Sequence, residues 1–88
     1  MNYLLVEVVN RDISTPVAFD TYDDAFDEMC EYFAQVCDLT REQVKTAYAN
    51  GEYDGEPDHP YLGASTAWAD KHGVQFDWQI FDISEFYV

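Results

Sequence analysis

Between Tyr22 and Asp38 the chain places five carboxylates, Asp23, Asp24, Asp27, Glu28 and Glu31, with no Lys or Arg among them. Residues three and four apart share one side of a helix, where each facing pair of like charges costs about 0.2 to 0.5 kcal/mol. The chemistry on offer is anion presentation, an array of carboxylates that a partner's Arg and Lys residues can engage as they would phosphates. A second concentration of acid, Glu52, Asp54, Glu56 and Asp58, alternates through a Gly- and Pro-rich segment that also carries Tyr53 and Tyr61. Together these residues form the candidate partner-binding set, with aromatic rings for burial and carboxylates for orientation.

Catalytic chemistry finds less support. A nucleophile, a base and an orienting acid must converge, yet His59 falls in the acidic loop and His72 in an expected turn. Cys30 and Cys37 sit at the edges of the helix's apolar stripe, where Cys acts as a small hydrophobe. Paired carboxylates are so frequent here that they carry no information about acid-base work, and Gly-rich phosphate loops are missing. The chain is therefore not read as an enzyme, and no catalytic residue or cofactor is assigned. The acidic loop offers the hard oxygen ligands calcium prefers, but Pro57 and Pro60 interrupt it and the closing bidentate Glu of an EF-hand is lacking. Thiolate zinc sites need clustered Cys and His, which this sequence does not have. No metal is assigned, and a weak calcium site at Glu52 to Asp58 is kept as an alternative.

Against 18 Asp and Glu stand Arg11, Arg41, Lys45 and Lys71, for a formal charge of −14 over 88 residues. That charge repels nucleic acid and anionic headgroups and steers basic proteins toward the surface. Neither direct nucleic-acid binding nor membrane association is expected. A disordered acidic tail lacks the apolar surface to offset chain entropy, whereas this chain is 48% hydrophobic and 17% aromatic. One folded domain over residues 1–88 is expected. The run Leu4 to Val9 is interrupted by Glu7 and has neither a basic leader nor a cleavage site, so it is not read as a signal peptide. No stretch approaches the roughly 20 apolar residues of a membrane span. Cys30 and Cys37 on one helix would stand about 10.5 Å apart along its axis, beyond disulfide reach. Two reduced thiols fit a cytoplasmic protein.

The elements that must position these residues follow from periodicity. Residues 3–9 are β-branched and aliphatic and predict a buried strand, with Leu4, Val6 and Val8 on one face. After the turn residues Asn10 to Asp12, Ile13 to Phe19 is expected to return as a second strand, which Pro16 places at an edge. Thr21 caps the acidic helix, whose buried stripe is Tyr22, Ala25, Phe26, Met29, Phe33, Val36 and Cys37. Thr40 to Gln43 is a capping box for a second helix that stops at Asn50 and Gly51. Residues 74–83 alternate, with Val74, Phe76, Trp78 and Ile80 on one face. A three-residue hairpin loop, Lys71 to Gly73, would set Trp68 opposite Phe76 and thus on that apolar face. The competing reading makes Ser65 to His72 a short helix. The tail from Ser84 carries Phe86 and Tyr87, either packed or exposed as contacts. The expected fold is α+β in the order β-β-α-α-β-β, a four-stranded antiparallel or mixed sheet covered on one face by two helices.

Small, folded, strongly acidic and aromatic, the chain resembles the DNA-mimic proteins that phages and mobile elements use against restriction or CRISPR nucleases. The likeness lies in charge and size over the whole chain rather than in a motif, so it assigns no residue a role. It implies an inhibitor or adaptor that occupies the basic nucleic-acid-binding surface of another protein, a nuclease for instance. The alternatives are an acidic regulatory module that binds protein without mimicry, the calcium-responsive loop, and a general halophilic surface.

Overall fold

A computed structural model describes residues 2–53 and 60–84. Strand β1 (Tyr3–Val9) lies inside the sheet, as its aliphatic composition demands. Asn10 and Arg11 both have positive φ, 48° and 73°, and make a two-residue turn into β2 (Asp12–Ile13), with Val8 opposite Ile13. Such left-handed pairs match the twist of the strands they join. Pro16 has no N–H to give, and the chain re-pairs with β1 only as β3 (Val17–Phe19), Val17 standing opposite Leu5. The single strand expected over Ile13 to Phe19 is therefore two short ones.

Helix α1 (Tyr22–Cys37) starts at Thr21, whose Oγ1 accepts from the Asp24 N–H at 3.2 Å. It ends at Asp38 in the left-handed region, and the Leu39 N–H returns to the Ala34 carbonyl at 2.9 Å. Helix α2 (Arg41–Ala49) carries the full capping box: Gln43 N–H donates to Thr40 Oγ1 at 3.1 Å and Thr40 N–H to Gln43 Oε1 at 2.9 Å. Three strands follow, β4 (Tyr61–Leu62), β5 (Thr66–Lys71) and β6 (Val74–Asp82). Residues 65–72 thus hold a strand, not the alternative short helix.

The sheet is antiparallel in the order β2-β1-β6-β5-β4, with β3 also on β1. The class is α+β as expected, but the sheet has six strands where four were expected. Pro16 splits one expected strand, and Tyr61–Leu62 adds a strand from a segment read as loop.

The register of the last hairpin differs from expectation by one residue. Its loop is His72 and Gly73 alone, with φ of 53° and 80°, so Lys71 faces Val74 and Trp68 faces Asp77 rather than Phe76. A one-residue slip moves every side chain of a strand to the other face. Ala67 and Ala69 therefore point into the core beside Trp78 and Phe76, and Trp68 points away from it. Small side chains on β5 let α1 lie close to the sheet, and Phe33 of α1 meets Trp78 edge-on, with ring centroids 6.1 Å apart. The core gathers Leu5, Leu62, Trp78 and Ile80 from the sheet with Ala25, Met29, Cys30 and Phe33 from α1 and Val44 from α2. A file of rings, Tyr3, Tyr22, Phe26 and Tyr48, ties β1, α1 and α2 together with centroid separations of 6.1, 5.8 and 5.1 Å. No helix among the described residues is long and apolar enough to cross a membrane.

Candidate functional site

The five acids of α1 divide into two groups once the helix is packed. At 100° per residue they span about 140° of arc, and the flank holding Asp23 and Asp27 adjoins Cys30 and Ala34, which are buried. Lys45 of α2 reaches across that flank and donates to Asp27 Oδ1 at 2.5 Å. This contact holds Lys45 charged to higher pH than usual, chiefly through its hydrogen bond to the carboxylate. Asp27 thus takes part in the helix–helix contact, with its carboxylate engaged by Lys45. Asp23 and Asp24 occupy the first turn, where exposed N–H groups favour anions, and the Asp24 amide is the one Thr21 caps.

Asp24, Glu28 and Glu31 share an arc of about 60° on the side of α1 away from α2. Glu31 accepts from Gln35 Nε2 at 3.3 Å, and none of the three forms an ion pair among the described residues. Two further groups that the sequence reading did not select extend this acidic strip toward β1. The Tyr32 hydroxyl is pushed above the usual phenol range by burial first and then by the charges of Glu28 and Glu7. Glu7 in turn accepts from the Trp78 indole Nε1 at 2.8 Å. No sequence spacing links Glu7 to Glu28. The cross-strand pairing of Glu7 with Trp78 does, by turning both toward the helix layer.

The second part of the expected set is placed differently. Tyr53 is half-buried at the core margin, where its ring meets Phe33 edge-on at 5.7 Å. Tyr61 stacks on Trp68 at 4.5 Å, on the opposite side of the sheet from the helices. It lies so closely over Gly63 that a β-carbon there would come within 2.8 Å of Tyr61 Oη. Glu52 is exposed just past α2, while Asp54, Glu56 and Asp58 lie outside the described residues. The structure therefore brings Asp24, Glu28 and Glu31 together, pairs Asp27 with Lys45, sets Tyr53 against Phe33, and separates Tyr61 from the helix acids.

Neither thiol is set up as a nucleophile. Cys30 is buried, and burial pushes its pKa up to about 11 against the opposing pull of Lys45. Cys37 is raised by burial as well, with Asp38 adding to the effect. Cys37 borders a shallow cleft of about 390 Å³ with Asp38, Lys71 and His72, where Lys71 Nζ donates to Asp38 Oδ1 at 2.8 Å. That contact is what holds the Asp38 carboxyl below its ordinary range. Among the described residues no group of His, Cys, Asp and Glu is arranged to hold a metal ion. Comparison with protein-family models, curated proteins and solved structures finds no match.

Proposed function

We propose that this chain is a small acidic inhibitor or adaptor that binds the basic, nucleic-acid-binding surface of another protein, with its carboxylates where phosphates would lie. The observation that carries the reading is the strip of Asp24, Glu28 and Glu31 on the side of α1 away from α2, which forms no ion pair among the described residues. Those residues rise about 6 and 4.5 Å along the helix from one to the next, somewhat coarser than the 3.4 Å rise between phosphates of one DNA strand. Arg takes carboxylate and phosphate with the same bidentate geometry, so a groove built for one can accept the other. The formal charge of −14 adds long-range steering toward a cationic surface.

A finer version of the proposal makes the target a restriction or CRISPR nuclease and the chain a DNA mimic of a phage or mobile element. The test is inhibition of DNA cleavage across a panel of such nucleases, with duplex DNA and salt as competitors. Mimicry predicts inhibition of at least one enzyme that added duplex DNA relieves and that fades over a few hundred millimolar salt. Binding that ignores both DNA and salt would instead mark an acidic module without mimicry.

A further inference from the structure

Both helices lie on one side of the sheet, and the side chains of the other side form a surface that no described residue covers. The registers arrange it in rows running across the strands. One row is Ile13, Val8, Asp77 and Trp68, ending on Tyr61. The next is Val6, Gln79 and Thr66, and the third is Ala18, Leu4 and Phe81. The outer rows carry the bulky side chains and stand about 13 Å apart along the strands, so the middle row becomes the floor of a groove. Its volume is about 480 Å³. Ile13 is 71% exposed and Phe81 47%, large apolar side chains on the rims of one continuous depression. A contiguous apolar surface of this kind marks an interaction site.

Charge identifies the occupant. The described strand positions that line the groove include Asp77 and no Lys or Arg. Asp77 stands mid-row between Val8 and Trp68, and its carboxylate has no hydrogen-bond or ion-pair partner among the described residues. A half-buried carboxylate set among apolar side chains calls for a cation when the face is covered. A second copy of this chain sets −14 against −14 overall. The width between the rims matches the 10 to 12 Å diameter of a helix with its side chains, and a sheet face engages side chains rather than backbone.

We propose that this sheet face, which no described residue covers, is a docking surface for a cationic amphipathic helix of a partner protein, seated over Val6 and Gln79 between Ile13 and Phe81, with a Lys or Arg on Asp77. The site is independent of the α1 acids, which lie on the other side of the molecule, and together the two faces make a bivalent adaptor.

The probe is an amphipathic Leu/Lys peptide of about 14 residues, long enough to cross the face, titrated into the isotopically labelled protein. A Leu/Glu peptide and a scrambled Leu/Lys peptide serve as controls. Amide shifts are expected at Val6, Val8, Ile13, Gln79 and Phe81 with the Leu/Lys peptide alone. Ile13→Ser with Phe81→Ser should weaken binding about tenfold or more, through lost apolar burial. Asp77→Asn should weaken it roughly fivefold, and would read the site even if the double variant failed to fold. Charge reversal of Asp24, Glu28 and Glu31 should leave these shifts in place. Shifts confined to α1, equal binding of the Leu/Glu peptide, or a dimer in sedimentation that the Ile13/Phe81 variant dissolves would each overturn the proposal.

Discussion

Trp78 donates its indole Nε1 to Glu7 Oε2 at 2.8 Å across the β1–β6 pair, and this one contact joins the floor of the core to the acidic strip above it. The ring itself is 1% exposed, so its only polar atom depends on Glu7.

Glu7→Leu strands that N–H in the core margin. The expected loss is about 1 to 3 kcal/mol, read as a lower urea midpoint with an unchanged slope. Glu7→Gln keeps an acceptor and should lose less.

The β5–β6 turn should be tunable in both directions. Gly73 has φ of 80° and open space around the position of a β-carbon, so Gly73→Ala meets only backbone strain and should cost about 1 kcal/mol. His72 has φ of 53°, a conformation Asn tolerates better, and Asn-Gly is the preferred pair for such a turn. His72→Asn should therefore raise the melting temperature.

Alkali should destabilise the fold through Cys30. Its folded pKa is raised from 9.0 to about 11, so the folded state holds the proton that the unfolded state releases. The associated stability is intact below pH 9 and is lost as pH rises from there through about 11. Chemical denaturation across that window should show the decline, and Cys30→Ala should flatten the part due to this thiol. At pH 8 a thiol reagent should label half-buried Cys37 before Cys30.

Added salt should stabilise the free protein. With 18 acids against four bases, mutual repulsion should outweigh what surface ion pairs such as Lys45–Asp27, Lys71–Asp38 and Arg41–Glu42 contribute. Melting temperature should rise between low ionic strength and about 0.5 M sodium chloride, as the Debye length contracts.

Where a residue type fixes its own backbone, the sequence was legible. Thr21 and the Thr40/Gln43 box placed both helix starts, and the 3.6-residue period placed α1 to within a residue at its end. The helix-facing alternation of β6 was equally plain. The β5–β6 register was not, because two- and three-residue loops both leave Gly73 left-handed, and nothing in the type of His72 announces that it is left-handed too. That single ambiguity put Trp68 on the helix-facing side of the sheet in the sequence reading, whereas the observed register turns it to the other side. The acidic helix was visible as a pattern, but the use of Asp27 depends on Lys45, 18 residues away, coming alongside when α2 packs on α1. The placement of Tyr53 is unreadable for the same reason: exposure of a loop aromatic is a tertiary property, and here its ring meets Phe33 edge-on and is half-buried.

The most direct measurement is displacement of labelled duplex DNA from an inhibited nuclease by the native chain and by the variant Asp24→Lys, Glu28→Lys, Glu31→Lys, with near-UV circular dichroism to show that the variant is folded. The native chain should displace the DNA at low salt, and the charge-reversed variant should lose at least tenfold in affinity, about 1.4 kcal/mol. Equal displacement by a folded variant would contradict the assignment of the α1 carboxylates as the binding surface.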